Sequence, residues 1–266
     1  MPSTFAENAI KEFSATLDEL RTSLEFSEAS SKLRPRLNDL LNWTAMGTEA
    51  KALVGKYLKH TSAEPTPYYR GIVIILGGAF EQFVRSLLHE AAVNVSQSVT
   101  NYDALGDHIK KENMRRTGQA LDSVFEPLDH FDFDYYELCK NLGTCVPGNE
   151  EFTLNAEVFS IHVSNLIPDH LNKAIGRLGV SLNWDELGSD AGLQELFGGT
   201  GARETANDIQ DYLKEFIKKR NKLAHTGSGG LTFTSEEVDE FLKFFRLFSK
   251  RLAQVLQKRL KQSAKQ

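Results

Sequence analysis

The run Arg220-Asn221-Lys222-Leu223-Ala224-His225 gathers a guanidinium, a carboxamide and an imidazole on one short segment, just ahead of Gly227-Ser228-Gly229-Gly230. These are the groups that metal-free cleavage of RNA calls for. When a 2′-hydroxyl attacks the adjacent phosphorus, a base takes its proton, an acid protonates the leaving 5′ oxygen, and a cation neutralises charge on the phosphate. Histidine suits the proton transfers because its ordinary pKa lies near neutrality. Arginine suits the phosphate because its planar fork makes two charge-assisted hydrogen bonds. Asn221 and His225 lie four apart and share a helix face, with Asn221 a candidate to hold Arg220 or the phosphate. Arg220 and His225 lie five apart, roughly 140° around a helix axis, so one helix places them awkwardly. Two copies of the helix facing each other across a two-fold axis would bring both side chains to one phosphate. Such chemistry leaves a 2′,3′-cyclic phosphate on one fragment and a 5′-hydroxyl on the other. Lys218, Lys219 and Lys222 flank the motif and read either as RNA contacts or as solvated lysines. The plainer alternative makes His225 a last-turn residue favoured by the carbonyl end of its helix and Arg220 a surface cation.

The motif needs a helix to carry it, and the sequence supplies one from about Glu204 to about His225. Its apolar stripe is Ile209, Leu213, Phe216, Ile217 and Leu223, and Gly227, Gly229 and Gly230 stop it. A last helix opens on Thr234-Ser235-Glu236-Glu237, a capping box in which Thr234 and Glu237 exchange hydrogen bonds with the backbone. Its stripe runs Val238, Phe241, Leu242, Phe245, Phe248, Leu252, Val255. A long helix from about Tyr68 to about Gln97 has an interior, Ile72 to Leu76, that is apolar all round, which requires burial on most sides. Gly77 and Gly78 cost that helix roughly 1 kcal/mol each, a loss that close approach of a neighbouring helix offsets. Near the N-terminus, Ile10, Phe13, Leu17, Leu20 and Leu24 mark one helix, a second runs from about Arg36 to about Leu58, and Pro65 and Pro67 break the chain. Further helical segments are expected over Tyr102–Val124, Phe131–Leu142, Leu154–Leu178 with Pro168 interrupting, and Asn183–Phe197. The only β-rich run, Leu231 to Thr234, is too short to build a sheet. The sequence therefore predicts an all-α protein of about eight helices.

The motif resembles the Arg-(four to six residues)-His signature of the HEPN superfamily, in the form with Asn directly after Arg. The stretch Arg70-Gly71-Ile72-Val73-Ile74-Ile75-Leu76-Gly77-Gly78-Ala79-Phe80-Glu81-Gln82-Phe83 is similar to the early core helix of the RiboL-PSP-HEPN subgroup, with an acidic residue beside an aromatic. A motif helix followed by a final long helix matches the same layout. The resemblance covers about Tyr68 to Leu260. It implies a HEPN-like helical bundle over residues 61–266 with an extra helical extension over 1–60. It also implies a homodimer with a composite active site, and an endoribonuclease of the kind that serves as toxin or antiviral effector, held in check by an antitoxin or regulatory protein. Glu81 becomes a supporting residue that orients Arg220 or His225; the simpler reading pairs it with Arg85, four residues on. The alternative within the family is a non-catalytic dimer that binds protein or nucleotide, but here Arg, Asn and His of the motif are all present.

The bulk properties are compatible with this. Charged residues make up 25% of the 266 and hydrophobic residues 41%, which excludes disorder as the main state. The net charge of -5 at first disfavours a polyanion partner. From Tyr212 to Gln266, however, 13 Lys and Arg stand against 5 Asp and Glu, a local +8 that leaves -13 on the rest, and such asymmetry can attract nucleic acid. The longest apolar run, Gly71 to Phe80, is followed at once by Glu81, so no segment is expected to span a membrane. The first residues show neither a basic region nor an apolar one, as expected of a chain without a signal peptide. Two cysteines, Cys139 and Cys145, make no disulfide framework, which suits a reducing cytoplasm. Cys139, Cys145, His162 and His170 lack the paired spacing of a zinc site, and no cluster demands a metal or other cofactor. Gly198-Gly199-Thr200-Gly201 lacks the Gly-Lys-Ser/Thr ending of a phosphate loop and reads as a linker.

Overall fold

A computed structural model describes residues 6–43, 45–60, 66–123, 133–199, 201–227 and 230–263. Among them are ten α-helices and no strand. They are α1 (Glu7–Leu41), α2 (Thr48–His60), α3 (Thr66–Gln97), α4 (Asp107–Asp122), α5 (Tyr135–Thr144), α6 (Pro168–Gly176), α7 (Trp184–Gly188), α8 (Ala191–Phe197), α9 (Ala202–Thr226) and α10 (Ser235–Ser263). Short 3₁₀ turns cover Tyr102–Ala104 and Ala156–Ser160.

The framework is α3, α9 and α10, with α1 laid along α3 and α10. Their apolar stripes meet in a phenylalanine cluster. Phe80 of α3 lies 4.8 Å from Phe245 and 5.9 Å from Phe248 of α10, and Phe216 of α9 lies 4.6 Å from Phe245. Phe13 of α1 stacks on Phe83 at 5.1 Å. Phe80, Phe216 and Phe245 are all but fully buried. Truncating a phenylalanine so placed to alanine costs about 3–5 kcal/mol, so this cluster fixes how α3 and α9 lie against each other. Ala9, Phe13, Leu17, Leu20 and Leu24 are all buried, and the first half of α1 is therefore part of the core.

Several expectations need correction. The first helix does not end before Arg36: α1 runs 35 residues, through Pro35, to Leu41, and α2 starts at Thr48. An internal proline costs about 3 kcal/mol, yet good helix formers flank it, and Arg34 donates to the Leu58 carbonyl at the end of α2, tying the two helices together. Leu154–Leu178 is not one interrupted helix. The 3₁₀ turn ends at Ser160, an irregular loop follows, and α6 starts at Pro168, where a missing N–H costs nothing. Asn183–Phe197 splits in two, because Asn183 and Asp190 each cap a helix of their own. The start of the predicted Phe131–Leu142 helix lies outside the described residues; α5 begins at Tyr135, capped by Asp134. The expectation that no stretch is long and apolar enough to span a membrane is corrected on length and composition alone. By length and composition α3 is apolar enough to cross a bilayer, although 56% of its most apolar window is buried inside the protein. Its buried face, Ile72, Val73, Leu76, Phe80, Val84, Leu87 and Leu88, makes it the central core helix.

The end of α9 is built as the sequence requires. Gly227 adopts φ 69° and its N–H bonds the Leu223 carbonyl, closing the helix in a conformation that costs glycine little. The start of α10 realises half of the predicted capping box. The Glu237 N–H donates to Thr234 Oγ1, but the Glu237 carboxylate turns away to Lys219 of α9.

Candidate active site

Arg220, Asn221 and His225 all lie on the last two turns of α9, and α3 passes directly behind them. Arg220 is half-buried, with 22% of its side chain exposed. Its Nη2 reaches Glu81 Oε2 of α3 at 3.4 Å, and its Nη1 donates to Asn221 Oδ1 at 3.1 Å. Glu81 is 8% exposed. Its other oxygen accepts the backbone N–H of Asn165 at 2.8 Å. Arg85 is turned elsewhere, donating from Nε and Nη2 to the Val163 carbonyl. The carboxylate thus serves Arg220 rather than the residue one turn along its own helix.

Gly77 explains how Arg220 fits. A Cβ at that position would lie 2.7 Å from Arg220 Cγ and 3.0 Å from its Nε. The guanidinium stem lies across bare backbone, and its Nε is buried without a hydrogen-bond partner. The close approach predicted for the glycine pair belongs to Gly77 alone; a Cβ on Gly78 would meet nothing within 4 Å.

The residue that sequence reasoning missed is Asn165, in the loop between the second 3₁₀ turn and α6. Its backbone N–H holds Glu81, its Oδ1 accepts from Asn221 Nδ2 at 2.8 Å, and its carbonyl lies 2.9 Å from His170 Nδ1. It sits at φ 49°, in the left-handed region, where asparagine is among the few tolerated residues. Arg220, Asn221, Glu81 and Asn165 form a closed ring of hydrogen bonds. The one partial signal in the sequence was Pro168, which favours a helix start and disfavours helical backbone at Ile167 just before it.

Three arginines clamp that loop. Arg177 Nη1 donates to the Phe159 and Ile161 carbonyls at 2.6 and 2.7 Å, and Arg116 also reaches the Ile161 carbonyl, while Arg85 takes the Val163 carbonyl. Burial, with Arg116 nearby, pushes Arg177 down to about 10, which leaves it a cation at neutral pH. Burial acts to raise Glu112, but its bonds to Arg115 and Arg116 outweigh that and hold it below the ordinary carboxylate range.

His225 stands apart from the ring. It is exposed in the last turn of α9, with Ala224 and Thr226 exposed beside it. The lysines divide. Lys218 is exposed in a loose pair with Glu215, and Lys222 is exposed. Lys219 is half-buried and committed: its ammonium meets Glu237 and lies 5.7 Å from the Phe241 ring centre. Cys139 and Cys145 are free thiols, and burial raises Cys145. Among the described residues no three His, Cys, Asp or Glu side chains converge as a metal site would require.

An all-helical bundle in which a glycine-stopped core helix ends on Arg-Asn-x-x-x-His, with its arginine held by an acidic residue of the central helix, has the architecture of a HEPN domain. The RiboL-PSP-HEPN family profile matches residues 36–258, and the chain belongs to that family. The match takes in the end of α1 and all of α2, which the motif-based resemblance left out. No curated protein and no solved structure matches the chain. HEPN domains often bind RNA, often dimerise and are often nucleases.

Proposed function

We propose that this protein is a metal-independent endoribonuclease that works as a homodimer. The observation that carries the reading is the hydrogen-bonded ring around Arg220. Glu81 and Asn221 each take one Nη of the guanidinium, and each Nη retains a second N–H for a phosphate. A cation preorganised in this way stabilises charge developing on a phosphoryl oxygen without reorganising at the moment of reaction. Asn221 is itself pinned by Asn165, which leaves the exposed His225 as the proton-transfer group of the motif.

In the reaction, the 2′ oxygen forms a bond to phosphorus and the bond from phosphorus to the 5′ oxygen breaks. One imidazole takes the 2′ proton and another donates a proton to the leaving 5′ oxygen, so no water is consumed and the products are a cyclic phosphate and a 5′-hydroxyl. Two His225 side chains, one per protomer, supply a base and an acid. The outward-facing Tyr68 and Ile75, the latter 55% exposed, offer apolar surface on the helix that carries Glu81, and this favours a partner copy. Lys218 and Lys222, both exposed near the motif, would be the contacts for flanking phosphates. An endonuclease of this kind suits a toxin or antiviral effector held by a regulatory partner.

The test is cleavage of RNA by the purified protein in excess EDTA, beside His225→Ala, with the fragment ends analysed. Cleavage by the wild type alone, leaving cyclic phosphate ends, is the expected result. Identical behaviour of the two proteins would move a non-catalytic, RNA-binding or protein-binding dimer ahead.

A further inference from the structure

Next to the arginine ring lies a cavity of about 370 Å³ between the 161–167 loop and α6. Its titratable lining is His162, His170, Lys173 and Arg177, and no acidic residue contributes. The contrast with a second cavity, of about 410 Å³ between α1 and α3, is direct: Glu12, Glu90 and Glu157 line that one. In a chain of net charge -5, an acid-free hollow floored by arginine is a local exception.

The order in the fold explains it. His170, Lys173 and Arg177 follow at spacings of three and four and form one stripe at α6, while Leu171, Ala174, Ile175 and Leu178 face the core. Arg177 spends Nη1 on two loop carbonyls and keeps its Nε buried without a partner. Lys173 is exposed at the rim. His162 is held at φ 57°, a conformation disfavoured for a residue with a Cβ, in a loop clamped by arginines. Asn165 belongs to both places: it lines the cavity and bonds Asn221 of the motif at 2.8 Å. A strand lying over the motif would pass Asn165 on its way to this hollow.

We infer that the cavity between the 161–167 loop and α6 is a phosphate subsite that takes the backbone of single-stranded RNA next to the bond being cut, with Lys173 as its contact and the half-buried Arg177 as the charge at its floor. The subsite rests on the ribonuclease reading for its purpose, but its binding can be measured separately. Each phosphate neutralised on a single strand contributes about 0.7 to the slope of log affinity against log salt.

The probe is a fully 2′-O-methylated single-stranded oligonucleotide, which cannot undergo 2′ attack, bound to the full chain across a salt series. Lys173→Glu should weaken binding about tenfold or more, and Lys173→Ala should lower the salt slope by about 0.7. Lys173→Arg should stay within about twofold of wild type, as should Lys261→Glu, which makes the same charge change outside the cavity. Equal effects of Lys173→Glu and Lys261→Glu overturn the subsite, and so does a wild type that binds no oligonucleotide. If Lys173→Glu alone weakens binding while the wild type cuts no unmodified RNA, the subsite stands and the catalytic reading falls. If the wild type cuts RNA and Lys173→Glu binds normally, the catalytic reading stands and the subsite falls.

Discussion

His225 and Arg220 share a motif but differ in what the fold asks of them, and that difference is measurable. His225 is exposed, and among the described residues no hydrogen bond or ion pair holds its side chain. His225→Ala should reduce RNA cleavage by at least about 100-fold, the usual scale of general acid–base catalysis, with Tm changed by no more than about 1–2 °C. Arg220→Ala should also abolish cleavage but lower stability, because it strands Glu81, 8% exposed, with one backbone N–H as its remaining bond. A buried group left short of partners costs about 1–3 kcal/mol, or several degrees of Tm. Adding Glu81→Gln should recover part of that loss and none of the activity; failure to recover it would mean that the pair is not coupled as described. Gly77→Ala separates stability from activity in the opposite sense. Alanine favours the helix by about 1 kcal/mol, yet its Cβ would meet Arg220 Cγ at 2.7 Å. Cleavage should therefore fall more than about tenfold through displacement of Arg220, while thermal melting shows little net change.

The elements matter through what they hold still. The stretch from Ile161 to Asn165 is irregular, yet three arginines bond its carbonyls and Glu81 accepts the Asn165 amide. It acts as a rigid wall against which Asn221 is set. Further along α3, α1 begins beside Glu90, whose Oε1 accepts the Ala9 N–H at 2.9 Å. Burial raises the Glu90 pKa, and the Ala9 bond only partly offsets this. A carboxyl raised in the folded state binds its proton more tightly there than in the unfolded chain. Its charged form therefore lowers stability, and this cost appears as pH rises through the ordinary carboxylate range. Glu90→Gln keeps the acceptor and removes the charge. Its Tm should equal or exceed that of wild type at pH 7, by no more than about 2 °C given the partial exposure. The two melting curves should converge near pH 3, and a lower Tm for Glu90→Gln at pH 7 would count against the assignment.

At the scale of the whole molecule, part of the basic C-terminal surplus is tied up in ion pairs. Arg246 pairs with Asp18 of α1, Lys258 and Arg259 share Glu186 of α7, Lys243 takes Asp239, and Lys219 takes Glu237. Exposed pairs of this sort contribute at most about 1 kcal/mol each, and the acids supplied from outside the segment, Asp18, Glu186 and Glu81, offset only part of its local +8. Positive surface near the motif comes from the few unneutralised groups, such as Lys222 at the end of α9 and Lys173 on α6. The proposed dimer makes a further quantitative demand. If one His225 acts as base and its partner as acid, a heterodimer with a single intact His225 should cut RNA at well below half the wild-type rate. A rate of half or more would mean that each protomer works alone.

All-α class, the course of α3, α9 and α10 and the Arg-Asn-x-x-x-His motif were legible in the sequence, because helical periodicity, capping and glycine stops are local properties. The halves of the site that come from elsewhere were legible only in part. Glu81 was visible as an acidic residue on an apolar helix, but whether it served Arg85 or Arg220 depended on the packing of α3 against α9 around Phe80 and Phe216. Asn165 carries no pattern of its own. It matters because a clamped loop brings its amide to Glu81 and its side chain to Asn221 across 56 positions of sequence. Segment charge likewise told only part, since ion pairs also form between residues that are neighbours in space, as Arg246 and Asp18 are. Local chemistry can be read along the chain, whereas partner choice, burial and the fields around a site are set by which surfaces the packed core brings together.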